Sequence, residues 1–463
     1  MLKTNREFLS CWVVKQPPGY VVKGKEDHVW LLIQALYSLK QAGHLWYEKL
    51  KSILVKMDFK VSHLDPCVFI HQKNLNTTFI SSHVNDLRLF CNSKKGIATI
   101  KSEFLKHVKI KDLGKIKTIL RIEINHGRSK HTISLSHWQY IINIAKEYNQ
   151  NNCKPIYTPM EMGTRLSQVD SPRTSKEISA MCSIPYQNLV GTLNHTAVMA
   201  QPDISKAVQS VAQFSSNPRV WHWNAALCIL KYLNTTKDWV LTLGGKLESK
   251  TPTFIAYFNA DNANHPDHRR SISGYGILNV TRDGIGGVHT WCLKKQTSTA
   301  LSTHEAEYIA SINTGHEVVW QPELYSELGF IQKLGTRFLT NNNSALQTID
   351  SPDQITNHTK HIHYNYHWIK NQTHKQVILL EHIPSELNAA DIFTKGFHAP
   401  WHNELCRMLG IGPQDGAQWG GVLRWEYISI YRNGPALNVP TNHLAHSLRF
   451  PQLFSLWLSL TSH

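Results

Sequence analysis

Residues Phe254–Tyr275 read FIAYFNADNANHPDHRRSISGY, and the fold assignment starts from this stretch. It opens as a strand, with Phe254, Ala256 and Phe258 alternating with Ile255, Tyr257 and Asn259. That period of two places alternate side chains on opposite faces of a sheet. A polar turn containing Pro266 follows, then the basic pair Arg269 and Arg270, then a second β-branched run. Two such runs around a polar turn make a hairpin. The first strand carries a short polar side chain, Asn259, towards its C-terminal end.

Three later strings belong with this one: ALSTHEAEYIA (Ala300–Ala310), FLTNNNSA (Phe338–Ala345) and NAADIFTK (Asn388–Lys395). Together, in this order, they resemble the RNase H domain of copia-type retrotransposons. The family's opening reads close to YSDADWA where this chain has YFNADNA. The resemblance implies two-metal hydrolysis of the RNA strand of a hybrid, with four carboxylates neutralising two Mg²⁺ ions and fixing their separation. Carried over position by position, those acids fall on Asn259, Glu307, Asn341 and Asp391. Two remain acids and two are amides. Glu307 is preferred to Glu305 because the AEY element aligns with it. Asp261 is no substitute for Asn259, since residues two apart on a strand lie about 6.6 Å apart along it.

Working back towards the N-terminus, KQPPGY (Lys15–Tyr20) and HVWLLIQALYSLKQAGHLWYEKL (His28–Leu50) come first. Pro17 and Pro18 enforce an extended or turn backbone, and Leu45, Trp46 and Leu50 follow with helical spacing. As strings they look like the copia-type reverse transcriptase pattern QPPGY…KALYGLKQAPRAWYEKL. FISSHVNDLRLFCNS (Phe79–Ser93) reads as two strands around a tight turn. Reverse transcriptases place the paired aspartates of YVDD in such a turn. Here the pair becomes Asn85 and Asp86, so one anion of a two-metal site is lost. The other polymerase carboxylate belongs upstream, and MLKTNREFLS offers no aspartate for it. Arg121 stands where the family has a glycine in a strand turn.

Six of the departures from the family share a pattern. They are Asp to Asn at 85, 259 and 341, Gly to Ser at 38, Gly to Arg at 121, and Arg to His at 358. By the genetic code each is reachable by one G-to-A change on the coding strand, as expected of a decayed element copy.

The bulk numbers agree with a nucleic-acid partner. The 463 residues carry 49 Lys and Arg against 33 Asp and Glu, a formal charge of +16. Such a balance suits a polyanion. The eight cysteines form no CxxC pair, which argues against a disulfide framework or zinc ribbon. No apolar run reaches the roughly 18 residues that span a bilayer, and the N-terminus lacks a signal-peptide core. A cytoplasmic or nuclear location is expected. The histidines of TNHTKHIHYNYHWIK (Thr356–Lys370) include an i, i+4 pair, His363 and His367, but no third ligand or acid accompanies it.

The expected architecture is α/β and α+β. Residues 1–160 form a truncated reverse transcriptase palm fragment lacking fingers, and 161–250 form thumb or connection helices. Residues 251–397 form an RNase H-like mixed sheet with flanking helices, and 398–463 an extension with little structure beyond 412. Asp203 is expected to cap a helix burying Ile204, Ala207, Val208, Val211 and Phe214. The resemblance implies Mg²⁺ at Asp86, Glu307 and Asp391, with Asn85, Asn259 and Asn341 at the remaining catalytic positions. Arg269, Arg270, Lys360 and His361 are expected phosphate contacts. The expected partners are RNA, DNA and RNA–DNA hybrid, with no membrane and no small-molecule cofactor.

Overall fold

The computed structural model describes residues 13–32, 42–73, 76–83, 86–108, 110–245, 253–262, 267, 269–281, 284–300, 302–350 and 363–414. They fall into two compact units that part between Asp112 and Leu113, ahead of the boundary expected at residue 160. Asn85, Lys360, His361 and the segment from 415 onwards lie outside the described residues.

The first unit begins with a two-stranded hairpin, β1 (Val13–Lys15) and β2 (Val29–Leu31). Helix α1 (Ala42–Lys56) follows. Strands β3 (Lys60–Val61), β4 (Val68–Lys73), β5 (Asn76–His83) and β6 (Asp86–Cys91) then form an antiparallel meander in chain order. Helix α2 (Lys94–His107) closes the unit, and the Ser93 hydroxyl caps it by accepting from the Gly96 N–H at 3.2 Å. The expected spacing of α1 is borne out at its core end. Leu50, Ile53 and Leu54 are buried against Phe59, Phe69, Ile80 and Phe104. His83 pairs with Asp86 at the end of the β5–β6 ladder.

The second unit holds two five-stranded sheets and a helical layer. Strands β7 (Thr118–Ile119), β8 (Ile122–Gly127) and β9 (Thr132–Ser136) come first, then helices α3 (Trp138–Glu147), α4 (Ser175–Cys182), α5 (Tyr186–Met199), α6 (Ser205–Ala212) and α7 (Val220–Thr235). Strand β10 (Trp239–Gly244) returns to pair with β9. Thr174 and Glu177 form a capping box at the start of α4. The faces of α3, α5, α6 and α7 close on one another through Ile141, Leu189, Leu193, Val208, Val211, Ile229 and Leu233.

The structure departs from the expected cap in this region. Asp203 sits in a short 3₁₀ turn, Pro202–Ile204, and Ile204 occupies the cap position of α6. The Asp203 carboxylate is buried instead and accepts a hydrogen bond of 2.6 Å from the Tyr232 hydroxyl. The five apolar residues assigned to that segment are all buried, as expected. Arg121 is exposed and has φ +69°, beside Leu120 at +47°. The glycine that the family places there is therefore matched to a left-handed backbone rather than to a lack of space.

The second sheet carries the site. It is built from β11 (Phe254–Asp261), β12 (Ile272–Thr281), β13 (Gly284–Lys295), β14 (Thr336–Thr340) and β15 (Ile378–His382) in the order β13-β12-β11-β14-β15. The first three are antiparallel and the last three parallel. Helix α8 (Thr303–Glu327) links β13 to β14, and α9 (Asn343–Asp350) and α10 (His363–His374) lie between β14 and β15. Every residue of β11 except Asp261 is buried, as befits a central strand covered on both faces. Phe254 meets Tyr325 of α8 edge-on with ring centroids 4.9 Å apart. Ile255 and Tyr257 pack instead with Ala389, Ala390, Ile392 and Phe393.

Residues 399–414 remain part of this unit. Helix α11 (Ala399–Met408) buries Leu405 and Cys406, and β16 (Ile411–Pro413) adds to the first sheet beside β10. No helix among the described residues is long and apolar enough to cross a membrane.

Candidate nuclease centre

The centre forms where β11 and β14 end side by side. The two strands run parallel with Tyr257 beside Leu339. Asn259 stands two residues further along β11, and Asn341 is the first residue past the end of β14. The third position comes from the start of α8. The Ser302 hydroxyl caps that helix by accepting from the Glu305 N–H at 3.1 Å, and Glu307 turns inward and is buried. The fourth comes from a 3₁₀ turn, Ala389–Phe393, capped by the Asn388 side chain, which accepts from the Ala390 N–H at 3.1 Å. Gly274, the partner of Asn259 across the ladder, lets that turn lie flat on the sheet. A Cβ there would stand 2.6 Å from Phe393 Cβ.

The side chains are bound to one another. The Asn259 amide donates to Asp391 Oδ1, and to Thr394 Oγ1 at 2.8 Å. The Lys395 ammonium donates to Asp391 Oδ2 at 2.8 Å. Both oxygens of that carboxylate are thus engaged by protein donors. Asn388 Nδ2 spans the gap between strands, donating to Phe258 O at 3.0 Å and to Asn341 Oδ1 at 3.1 Å. Asn341 Nδ2 donates in turn to Ser385 Oγ at 2.9 Å. Asp261 is engaged elsewhere, 3.8 Å from Lys206 Nζ on α6.

Glu307 is the outlier of the set. Burial pushes its carboxyl up to about 8, against a smaller downward pull from the Ala260 N–H. The Asp391 charge raises it further and Lys395 opposes. Its Oε2 is buried without a hydrogen-bond partner. Burial likewise raises Asp391, with Lys395 and Asn259 opposing. The folded state therefore holds the Glu307 proton more tightly than the unfolded chain, whose ordinary value is 4.5. Stability from this group is complete below about 4.5 and declines as pH rises through about 8. In metal-free buffer, Glu307→Gln is expected to flatten the stability curve across that window and to exceed the parent above it. Thermal melts at a series of pH values check this.

The expected site residues divide as follows. Asn259 and Asp391 are hydrogen-bonded directly, Glu307 is engaged by the Ala260 backbone and feels the Asp391 charge, and Asn341 is linked through Asn388 to the Phe258 carbonyl of β11. Asp86 is exposed at the start of β6, in the other unit, and Asn85 lies outside the described residues. Arg269 and Arg270 are exposed beside the centre's hairpin, Arg269 with φ +51°. The loop that carries them is tied down at Asp267, which accepts from the Ser167 hydroxyl at 2.6 Å and from the Gln168 N–H at 3.0 Å. Lys360 and His361 lie outside the described residues. Asn388, Thr394 and Lys395 were missed as site residues, although all three stand in the string that supplied Asp391. Among the described residues no group of three or more His, Cys, Asp or Glu is disposed to hold a metal ion.

Similarity to known proteins follows the same layout. Residues 5–162 match the family described as reverse transcriptase (RNA-dependent DNA polymerase). A putative transposon Ty5-1 protein of Saccharomyces cerevisiae is 32% identical over 308 residues, covering 66% of this chain and 94% of that protein. The chain belongs to the copia-type retrotransposon Pol family. The Pol polyprotein of transposon TNT 1-94 from Nicotiana tabacum is 34% identical over 400 residues, 86% of this chain. This Pol chain spans only 29% of that polyprotein's length. Among solved structures, the N-terminal RNase H domain of a Mycobacterium tuberculosis protein aligns with 34% of this chain and 98% of that one. Its identity is 13% and its TM-score 0.23. The foamy viral protease-reverse transcriptase aligns with 77% of this chain and 51% of that one, at 13% identity and a TM-score of 0.39. The order of strands in the Pol chain's own second sheet, rather than these scores, carries the RNase H-like fold.

Proposed function

We propose that this Pol chain is a reverse transcriptase–RNase H remnant that holds nucleic acid without turning it over. Its ancestral activities are RNA-directed DNA synthesis and cleavage of RNA in RNA–DNA hybrids, both dependent on Mg²⁺. The single observation behind this reading is the engagement of Asp391 by Asn259 and Lys395. Two Mg²⁺ ions require several anionic oxygens at fixed separation. This centre supplies amides at two of its four positions, a carboxyl with an elevated pKa at the third and an ion-paired carboxylate at the fourth. The residues present do not fit a two-metal site. In the other unit the turn beside Asp86 has Asn85 where the family has a second aspartate.

The partners follow from charge. A chain of +16 with exposed Arg269 and Arg270 suits the backbone of RNA, DNA or their hybrid. No small-molecule cofactor enters this reading, and its setting is the cytoplasm or nucleus.

A second reading is residual cleavage through Glu307 and Asp391, favoured by the unpartnered Glu307 Oε2. One experiment separates the two. The purified chain is incubated with an end-labelled RNA–DNA hybrid in Mg²⁺ and in Mn²⁺, and retention on a filter is measured over a salt series. The expected result is an intact hybrid, bound with an affinity that falls steeply as salt rises. Metal-dependent cleavage overturns the remnant reading, and absence of retention overturns the binding one.

A further inference from the structure

The former nuclease centre has lost most of its repulsion towards a phosphate backbone. A centre of four carboxylates is strongly anionic when empty, and it repels phosphate until divalent cations occupy it. In this chain the amides at 259 and 341 remove two of those charges by covalent identity. The Lys395 ammonium cancels a third at Asp391, 2.8 Å away. Even with Glu307 counted as ionised, one net negative charge remains.

The geometry leaves donors at the opening. Lys395 keeps 43% of its side chain exposed while paired. An ammonium has three N–H donors and Asp391 Oδ2 takes one of them. Asn341 is half-buried and joined at 2.9 Å to the exposed Ser385. Asn388, buried beneath, fixes Asn341 from behind. The cluster therefore presents hydrogen-bond donors and one cation where the four-acid centre presents only acceptors.

We propose that this centre contacts the phosphate backbone of an RNA–DNA hybrid without any divalent cation, with Lys395 and Asn341 as the contacting side chains. The proposal rests on the nucleic-acid-binding reading given above and specifies how the backbone is met.

The test uses the full chain and a hybrid of defined length, with binding measured in EDTA and in Mg²⁺ at matched ionic strength. The parent chain is expected to bind equally in both, or slightly more weakly in Mg²⁺, which competes for the phosphates. The double variant Asn259→Asp/Asn341→Asp is expected to bind on the order of tenfold more weakly in EDTA, with most of that loss recovered in Mg²⁺. Asn341→Asp alone, at the half-buried rim, is expected to show part of the same metal dependence if the double variant does not fold. Lys395→Met is expected to weaken binding several-fold and to reduce the salt slope by about one.

Parent binding that strengthens tenfold in Mg²⁺ overturns the proposal. So does a folded double variant that binds in EDTA as the parent does, because the hybrid then does not feel the centre's charge. If the parent binds no hybrid under either condition, the underlying binding reading fails and takes this proposal with it.

Discussion

Returning carboxylates to positions 259 and 341 together is expected to give a Mg²⁺-dependent nuclease on RNA–DNA hybrid. Each restored metal ligand is expected to contribute on the order of 10²–10³ in rate, by analogy with other preorganised electrostatic groups. The parent should sit at background and the single variants only slightly above it, since residues acting as a unit are not additive. The scaffold favours this outcome. Asn259 already lies against Asp391, and Asn341 is already held in register by Asn388. A carboxylate at 259 facing Asp391 without metal places like charges in contact. The double variant should therefore melt lower than the parent in EDTA and recover in Mg²⁺, because a ligand bound only by the folded state stabilises it. Cleavage of a labelled hybrid and a melt in each buffer read both effects. A double variant that folds, gains stability in Mg²⁺ and still cleaves nothing means that a further part of the machinery is lost.

The largest effect on stability is expected at Gly287, on β13. A Cβ there would lie 2.0 Å from the Thr242 carbonyl oxygen, a backbone atom with no rotamer to change. Three segments cross at this point. The Thr242 N–H donates to Gly410 O at 2.9 Å, the Val288 N–H donates to Leu409 O at 2.9 Å, and Gly410 has φ +81°. The contact joins the two sheets of the second unit to the end of α11. Gly287→Ala is expected to cost about 3 kcal/mol or more, at the upper end for overpacking a closed site. Gly191→Ala on α5 is the control. Nothing lies within 4 Å of its added Cβ, and alanine there should be neutral or stabilising by up to about 1 kcal/mol. Thermal denaturation of the two variants against the parent decides it. Equal melting temperatures for all three contradict the described junction.

The parts of this centre that could be read from sequence were those tied to a local pattern. Asn259 was legible because a period-two run places it near a strand end. Glu307 was legible because the AEY element of the family resemblance aligns with it. Asp391 was legible because NAADIFTK matches the string that carries the family's fourth acid. The connections between these elements had no such signal. Nothing in NAADIFTK says that Lys395 folds back on Asp391, because an i, i+4 ion pair in a polar string is usually a solvated pair. Nothing before the fold links Asn388 to both Asn341 and the Phe258 carbonyl, which are distant in the chain. Asp203 was misread for the opposite reason. An Asp before an apolar helix suggests a cap, but the short turn there places Ile204 at the cap and sends the carboxylate to Tyr232 in the core. Residues 113–136 and 399–413 were assigned by likeness to separate segments, whereas the pairing of β9 with β10 and of β10 with β16 unites them in one sheet.

The central claim is that the amide-substituted centre does not assemble a pair of magnesium ions. Calorimetric titration of Mg²⁺ into the parent chain and into Asn259→Asp/Asn341→Asp, side by side in metal-free buffer, tests it most directly. The predicted result is saturable binding at the double variant and none at the parent over the same millimolar range. Saturable uptake of two ions by the parent, abolished by Asp391→Asn, contradicts the account.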